Sequence, residues 1–304
     1  MNSRMSLISL ACLAASMAHA GTSLSPGRYE QTVEVGGVTR NFIIRVPKSL
    51  DTSKPAPLVV VLHGWTASAK LAEIYTRMSD QAEKSGFIVA FPDGLGSPKG
   101  WNAGFIDLSG RKGDDVGFVS AVLDKVEAQC QIDRDREYVC GHSNGAFMSE
   151  EIGAVLGKRL AAIGIVAGTI GIPANSNGGY RQIPDPVAPI SEIAIHSRKD
   201  SMVAYDKSAA AVLKCVPAKD GAAWWATKDG CAPTPKVVTN SDGTVETTLY
   251  SGGKNGTEVE LVTLAKGSHA WPGGFNQAGR ETDSGLDAAQ VLWDFFQAHP
   301  RRTR

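Results

Sequence analysis

The sequence predicts an α/β fold: a mostly parallel central sheet with helices on both faces, in a single domain. Three observations predict it. Apolar, β-prone runs alternate with amphipathic helical stretches from Leu58 onward, the pattern of strand–crossover–strand units. Leu58–Leu62, LVVVL, is wholly apolar and rich in β-branched residues, which suits a central parallel strand buried on both faces. Arg136–Met148 reads strand, sharp turn, helix around Gly141-His142-Ser143-Asn144-Gly145.

Taken in order, Tyr29–Val35 and Val38–Val46 alternate about Gly36-Gly37 and read as a hairpin. Leu58–Leu62 leads into His63-Gly64-Trp65-Thr66. Leu71, Ile74, Met78 and Ala82 give Ala69–Lys84 a helical spacing. Phe87–Phe91 is a second apolar strand, followed by Pro92-Asp93-Gly94 and a loop holding Trp101-Asn102-Ala103-Gly104. Asp114–Ala128 is an amphipathic helix with acids at its N-terminus, where the macrodipole favours them. Beyond the central turn, Leu160–Ala167 and Ile193–His196 read as strands, the latter ending in Ser197-Arg198-Lys199-Asp200. Between them Gly168–Pro189 is irregular, and it is expected to cover the site. Ser208–Lys228 reads as partly helical, interrupted at Pro217–Gly221. Thr244–Ser251 and Glu258–Thr263 are strands, Gly267–Gly273 a loop, and Leu286–His299 a closing helix. No repeat, linker or second domain is visible.

The first twenty residues have the pattern of an export signal: Arg4, the mostly apolar Met5–Ala18, and Ala18-His19-Ala20 as an A-x-A cleavage site. The expected organisation is a signal peptide over 1–20, a catalytic domain over 21–304, and a secreted or periplasmic location. The 304 residues carry 31 basic and 31 acidic side chains. That balance argues against nucleic acid or a membrane surface as a partner held by bulk charge. No oligomeric state is specified. The histidines and acids lack zinc spacing, so no metal and no cofactor is expected.

Export permits disulfides. Beyond the signal lie Cys130, Cys140, Cys215 and Cys231. Cys130 should sit at the bottom of the sheet, and Cys140 roughly 13 Å higher on the next strand, beyond disulfide reach. The expected bridge is Cys215–Cys231, closing a surface loop, with Cys140 a buried thiol and the state of Cys130 open.

The central pentapeptide is a G-x-S-x-G pattern. Between a strand and a helix it suits a nucleophile elbow, in which two glycines permit a cramped turn that lifts Ser143 Oγ clear of the sheet. By itself the pentapeptide is equally an ordinary Gly-Ser turn; the flanking strand and helix favour the elbow. A serine hydroxyl needs a base, and the base needs an orienting group. In α/β-hydrolases the order is serine, acid, histidine, each on a loop after a strand. His269 is the histidine after Ser143 that lies on such a loop; His196 falls within a strand and His299 on the last helix. The acid is then Asp200, with Asp206 as its rival six residues on. Two backbone N–H groups must face the oxyanion of acyl transfer, and Asn144 and Trp65 are placed to supply them. For His63 itself an ordinary turn role stands beside this. Trp65, Trp101 and Trp271 all fall in these motif loops. Tryptophan serves core packing as readily as ligand binding, but three beside one site suggest an apolar wall for an aromatic acyl group or a sugar ring.

Together VVVLHGWTAS, FIVAFPDG with WNAG, DDVGFVSAVLDKV, DRDREYVCGHSNGAFMS, IHSRKDSMVAY and GSHAWPGG resemble the secreted esterase group of feruloyl esterases, acetylxylan esterases and polyhydroxybutyrate depolymerase-like enzymes. The resemblance runs from Leu58 to Gly273 at consistent spacing. It implies an α/β-hydrolase fold with Ser143 as nucleophile, Asp200 as acid, His269 as base, and oxyanion donors near Trp65 and Asn144. Two positions depart from the pattern. His142 stands where such enzymes often carry leucine or phenylalanine, and is expected at the substrate pocket floor. Cys215–Gly221 looks like an insertion near the acid. The expected function is a serine esterase releasing acyl groups, ferulate among them, from plant-wall polysaccharide. The alternative is a depolymerase-like esterase for short hydroxyalkanoate esters. A peptidase fits less well, and a non-catalytic wall- or sugar-binding protein would have no need of a complete triad.

Overall fold

Two antiparallel strands, β1 (Gly27–Val35) and β2 (Val38–Val46), open the chain as the expected hairpin. Gly36 and Gly37 turn it with φ of 56° and 78°, the left-handed pair that a two-residue hairpin loop favours. The computed structural model describes residues 24–103, 113–173, 180–275, 280–282 and 285–301. The expected signal peptide over 1–20, Gly104 of the WNAG stretch and part of the irregular 168–189 segment lie outside them.

Strand β3 (Ala56–Leu62) is followed by helices α1 (Ala69–Tyr75) and α2 (Met78–Ser85), then β4 (Ile88–Pro92) and a small ribbon of β5 (Leu95–Gly96) and β6 (Lys99–Gly100). The single helix expected over Ala69–Lys84 is therefore two. Thr76 Oγ1 donates to Ala72 O and accepts the Met78 N–H, while Arg77 takes a left-handed φ of 55°. A hydroxyl that serves the backbone on both sides of a break stabilises the break. Helix α3 (Asp115–Glu127) is capped by Asp114, whose carboxylate accepts the Gly117 N–H at 2.7 Å. Strand β7 (Ile132–His142) feeds α4 (Asn144–Leu156), then β8 (Ala162–Val166), the short pair β9 (Gly171–Pro173) and β10 (Tyr180–Gln182), and β11 (Ser191–Ser197). Helix α5 (Ala218–Asp229), strands β12 (Lys236–Thr239), β13 (Val245–Tyr250) and β14 (Val259–Leu264), and helix α6 (Ala288–Ala298) complete it.

The main sheet runs β1-β2-β4-β3-β7-β8-β11-β14-β13-β12. Its centre, from β4 to β14, is parallel, and an antiparallel pair flanks each edge. The wholly apolar LVVVL strand now has its reason. Leu58, Val60 and Leu62 belong to one apolar layer, with Phe118 of α3, Met148 and Ile152 of α4 and Trp225 of α5. Val59 and Val61 belong to the other, with Ala72 of α1, Met78 of α2 and Leu292 and Phe296 of α6. Each buried side chain of this kind contributes about 1.5–3 kcal/mol over exposure.

The Cys215–Cys231 bridge is corrected: both are free thiols, as are Cys130 and Cys140. Pro217–Gly221 does not interrupt a helix. Pro217 caps α5, where its missing N–H costs nothing, and Ala218–Gly221 form its first turn. An unbroken helix of 12 residues, roughly 18 Å long, therefore separates the two cysteines, well beyond disulfide span. Cys140 is buried as expected, and burial pushes its thiol far up.

Candidate active site

At the carboxyl end of β7 the chain turns into α4 through Ser143, whose φ of 54° and ψ of −119° are unusual for a residue with a side chain. Such a conformation costs about 1–3 kcal/mol and is kept where the surroundings enforce it. They do so here. A Cβ at Gly141 would lie 2.3 Å from Gly145 O, and one at Gly145 would lie 2.3 Å from Leu62 O. Both glycines are demanded by close backbone approach rather than by turn chemistry alone. The Ser143 N–H donates to Val166 O at 2.9 Å, stitching the turn to the end of β8.

Ser143 Oγ stands 2.8 Å from His269 Nε2, and His269 Nδ1 stands 2.9 Å from Asp200 Oδ2. Asp200 follows β11 and His269 follows β14, so three parallel strands, β7 and, one strand further across the sheet beyond β8, the adjacent β11 and β14, deliver the three side chains to its carboxyl edge. Asp200 Oδ1 accepts the N–H groups of Met202 and Val203 at 2.8 and 2.9 Å. Burial opposes its charge, but the His269 hydrogen bond, the nearby His269 and His196 and the Val203 N–H together hold its carboxyl below the ordinary value. An ionised Asp200 can only accept, which places a proton on His269 Nδ1 and leaves Nε2 to take the Ser143 hydroxyl hydrogen. Asp206 is not at the site: it lies close to the surface and accepts from the Ser208 N–H and hydroxyl instead. His196, which sequence reasoning set aside as a strand residue, lies against the acid. Its Nε2 donates to Val203 O at 2.9 Å and stands 3.5 Å from Asp200 Oδ2.

Asn144 is the first residue of α4, so its N–H has no acceptor within the helix. Trp65 lies opposite on the loop after β3, and next to it the Thr66 N–H donates to Lys99 O at 2.9 Å. Ser143 and His269 open on a cavity of about 950 Å³ whose walls include Trp65, Leu71, Ile74, Tyr75, Trp271 and Phe275. His142 lines it as well, its ring 5.5 Å from that of His269 and edge-on to Trp271 at 6.5 Å. Burial, aided by His269, lowers His142 to about 3 and keeps it neutral. Trp101 corrects an expectation. It is fully buried away from the cavity wall, its indole N–H donating to His63 O at 2.8 Å and its ring stacked on Phe118. The bonding capacity of an indole N–H favours such a buried carbonyl partner.

Fold and site together define an α/β-hydrolase carrying a serine–histidine–aspartate arrangement at the carboxyl ends of its central strands. The chain belongs to the esterase PHB depolymerase family, whose model matches residues 43–207. It is 29% identical over 238 residues to feruloyl esterase B of Piromyces equi, covering 76% of this chain and 42% of that protein, so it spans less than half of that relative's length. It is 25% identical over 287 residues to feruloyl esterase C of Emericella nidulans, covering 90% of this chain and 91% of that protein. Among solved structures, the acetyl xylan esterase from Aspergillus awamori superposes with a TM-score of 0.61 at 15% identity, over 89% of this chain and 99% of that one.

Proposed function

We propose that this protein is an exported serine carboxylic-ester hydrolase that releases aromatic acyl groups of the feruloyl type from plant-wall polysaccharide. One observation carries the reading: the hydrogen-bonded line Asp200–His269–Ser143 ends at the wall of an apolar, partly aromatic cavity.

In this mechanism Ser143 Oγ attacks the ester carbonyl carbon as its proton passes to His269 Nε2. The carbonyl π electrons move onto oxygen, and the Trp65 and Asn144 N–H groups donate to that oxyanion. Collapse expels the sugar alcohol, which takes the proton from His269 Nε2, and leaves acyl-Ser143. A water then attacks the acyl carbon with His269 again as base, releasing the acid and restoring the serine. Asp200 stays ionised and stabilises the imidazolium.

The cavity's rings suit a flat acyl group, and the full-length relative is named a feruloyl esterase. Arg4, the apolar Met5–Ala18 and Ala18-His19-Ala20 support export. A second reading, an esterase for short hydroxyalkanoate esters, has its own support. The matching family model is described as PHB depolymerase, and Leu71 and Ile74 at the cavity are 50% and 54% exposed, an apolar approach suited to aliphatic polyester.

The test is a rate comparison on purified protein with methyl ferulate, p-nitrophenyl acetate and a soluble hydroxybutyrate oligomer, with Ser143→Ala as the blank. Preference for the ferulate supports the first reading and preference for the oligomer supports the second. Activity on none, with Ser143 silent to a fluorophosphonate, overturns both and leaves a non-catalytic binding protein.

A further inference from the structure

The loop after β3 is held by side chains to an extent its sequence does not announce. A peptide unit is planar and trans, so fixing its oxygen also fixes the direction of the N–H on its other side. In the His63–Gly64 peptide, the oxygen accepts from the Trp101 indole at 2.8 Å and the Gly64 N–H donates to Tyr75 Oη at 3.2 Å. In the Gly64–Trp65 peptide, the oxygen accepts from His63 Nδ1 at 2.8 Å and from the Ala67 N–H at 3.2 Å. His63 has one neutral form that fits: Nδ1–H donates to Gly64 O, and Nε2 accepts the Gly94 N–H at 2.9 Å. Among the described residues the Trp65 N–H alone in this pair of peptides has no protein acceptor. Its direction is set opposite to Gly64 O, beside the serine: a Cβ at Gly64 would stand 3.5 Å from Ser143 Cβ.

Tyr75 does more than accept one hydrogen bond. It ends α1, and its backbone oxygen accepts the Phe275 N–H at 3.0 Å, beyond the loop that bears His269. That approach is close enough that a Cβ at Gly274 would lie 2.0 Å from Tyr75 O. Its ring meets His142, the residue before the nucleophile, edge-on at 5.6 Å. Burial raises its phenol, so it stays protonated across the working range. One residue therefore touches the segments carrying the donor, the nucleophile and the base.

We propose that Tyr75 is a positioning residue of the oxyanion site: its hydroxyl locks the Gly64 N–H so that the next N–H, that of Trp65, is already aimed when charge develops on the substrate oxygen. The inference rests on the ester-hydrolase reading. Pre-set donors matter because misplacement of about 1 Å costs on the order of 100-fold in rate.

The test is Tyr75→Phe, which removes one oxygen and keeps the ring. With p-nitrophenyl acetate, kcat should fall by roughly 10- to 100-fold while KM holds, since a lost oxyanion donor costs about 100- to 1000-fold and this one is only loosened. Affinity for phenylboronic acid, which forms a tetrahedral anionic adduct on Ser143, should fall by the same factor as kcat/KM. A purely structural role would lower the melting temperature and leave the boronate affinity unchanged. Trp101→Phe frees the other end of the same peptide and should reproduce the signature. Unchanged kcat in Tyr75→Phe, or a kcat loss without boronate loss in both variants, overturns the proposal. A wild-type protein that neither hydrolyses esters nor binds the boronate sinks the esterase reading instead.

Discussion

Asn144 grips Trp101 across 43 residues of chain: its Oδ1 accepts the Trp101 N–H at 2.7 Å, and its Nδ2 donates to Trp101 O at 3.1 Å. The residue whose N–H is proposed as one oxyanion donor thus uses its side chain to hold Trp101, whose indole braces the peptide before the other proposed donor, Trp65. Asn144→Ala keeps the backbone N–H but orphans two buried groups of Trp101. Stability should fall by about 1–3 kcal/mol, and kcat should fall further than KM rises. Denaturant unfolding and steady-state kinetics on the same samples check this.

Ser143 occupies its strained turn at a cost that the folded core sustains. Ser143→Ala should abolish ester hydrolysis with little change in melting temperature. Ser143→Gly should be equally inactive but more stable by about 1 kcal/mol, because glycine adopts a positive φ without strain. If Ser143→Gly were less stable than Ser143→Ala, the backbone argument would be wrong.

The acid is separable by mutation. Asp200→Asn should lower kcat by about 1000- to 10,000-fold, since the wrong histidine tautomer would be favoured. Asp206→Asn touches only the local hydrogen bonds from Ser208 near the surface and should stay within about 2-fold of wild type. The reverse ranking would show that the acid is Asp206.

Three buried carboxyls outside the site make stability depend on pH. Glu150 of α4, Glu192 of β11 and Asp229 of α5 are 1%, 1% and 0% exposed. Burial raises Glu150 to about 8 and Asp229 to about 7, and burial with the charges of both neighbours raises Glu192 as well. The folded chain binds these protons more tightly than the unfolded chain, so their stabilisation is complete below the ordinary carboxyl range and is lost as pH rises through 7–8. The melting temperature should therefore fall between pH 6 and pH 8.5. Glu150→Gln should flatten that fall, and an unchanged slope would count against the cluster.

Thiol titration of the denatured, unreduced protein should find Cys130, Cys140, Cys215 and Cys231 all reactive. Two missing thiols would restore the bridge that α5 holds apart.

Sequence alone determined what local rules govern. Five successive apolar residues require burial on both faces, so Leu58–Leu62 could be read as a central strand. Glycines at 141 and 145 between a strand and a helix mark a tight turn, and the chain order serine, acid, histidine is what the resemblance to α/β-hydrolases implies. The tertiary structure decided what depends on distances between remote segments. Asp200 and Asp206 are six residues apart and chemically alike; position after a strand favours Asp200 in the sequence, and the approach of the loop after β14 brings His269 to Asp200 and not to Asp206. Trp101 and Trp271 look equivalent in the chain, yet one is enclosed beneath the loop after β3 and the other reaches the cavity. Tyr75 lies in no motif, and His196, though inside IHSRKDSMVAY, reads only as a strand residue. Their roles come from where α1 ends and how β11 packs, and single side-chain hydrogen bonds to loop backbone, Tyr75 to Gly64 and His196 to Val203, leave no periodic trace in the sequence.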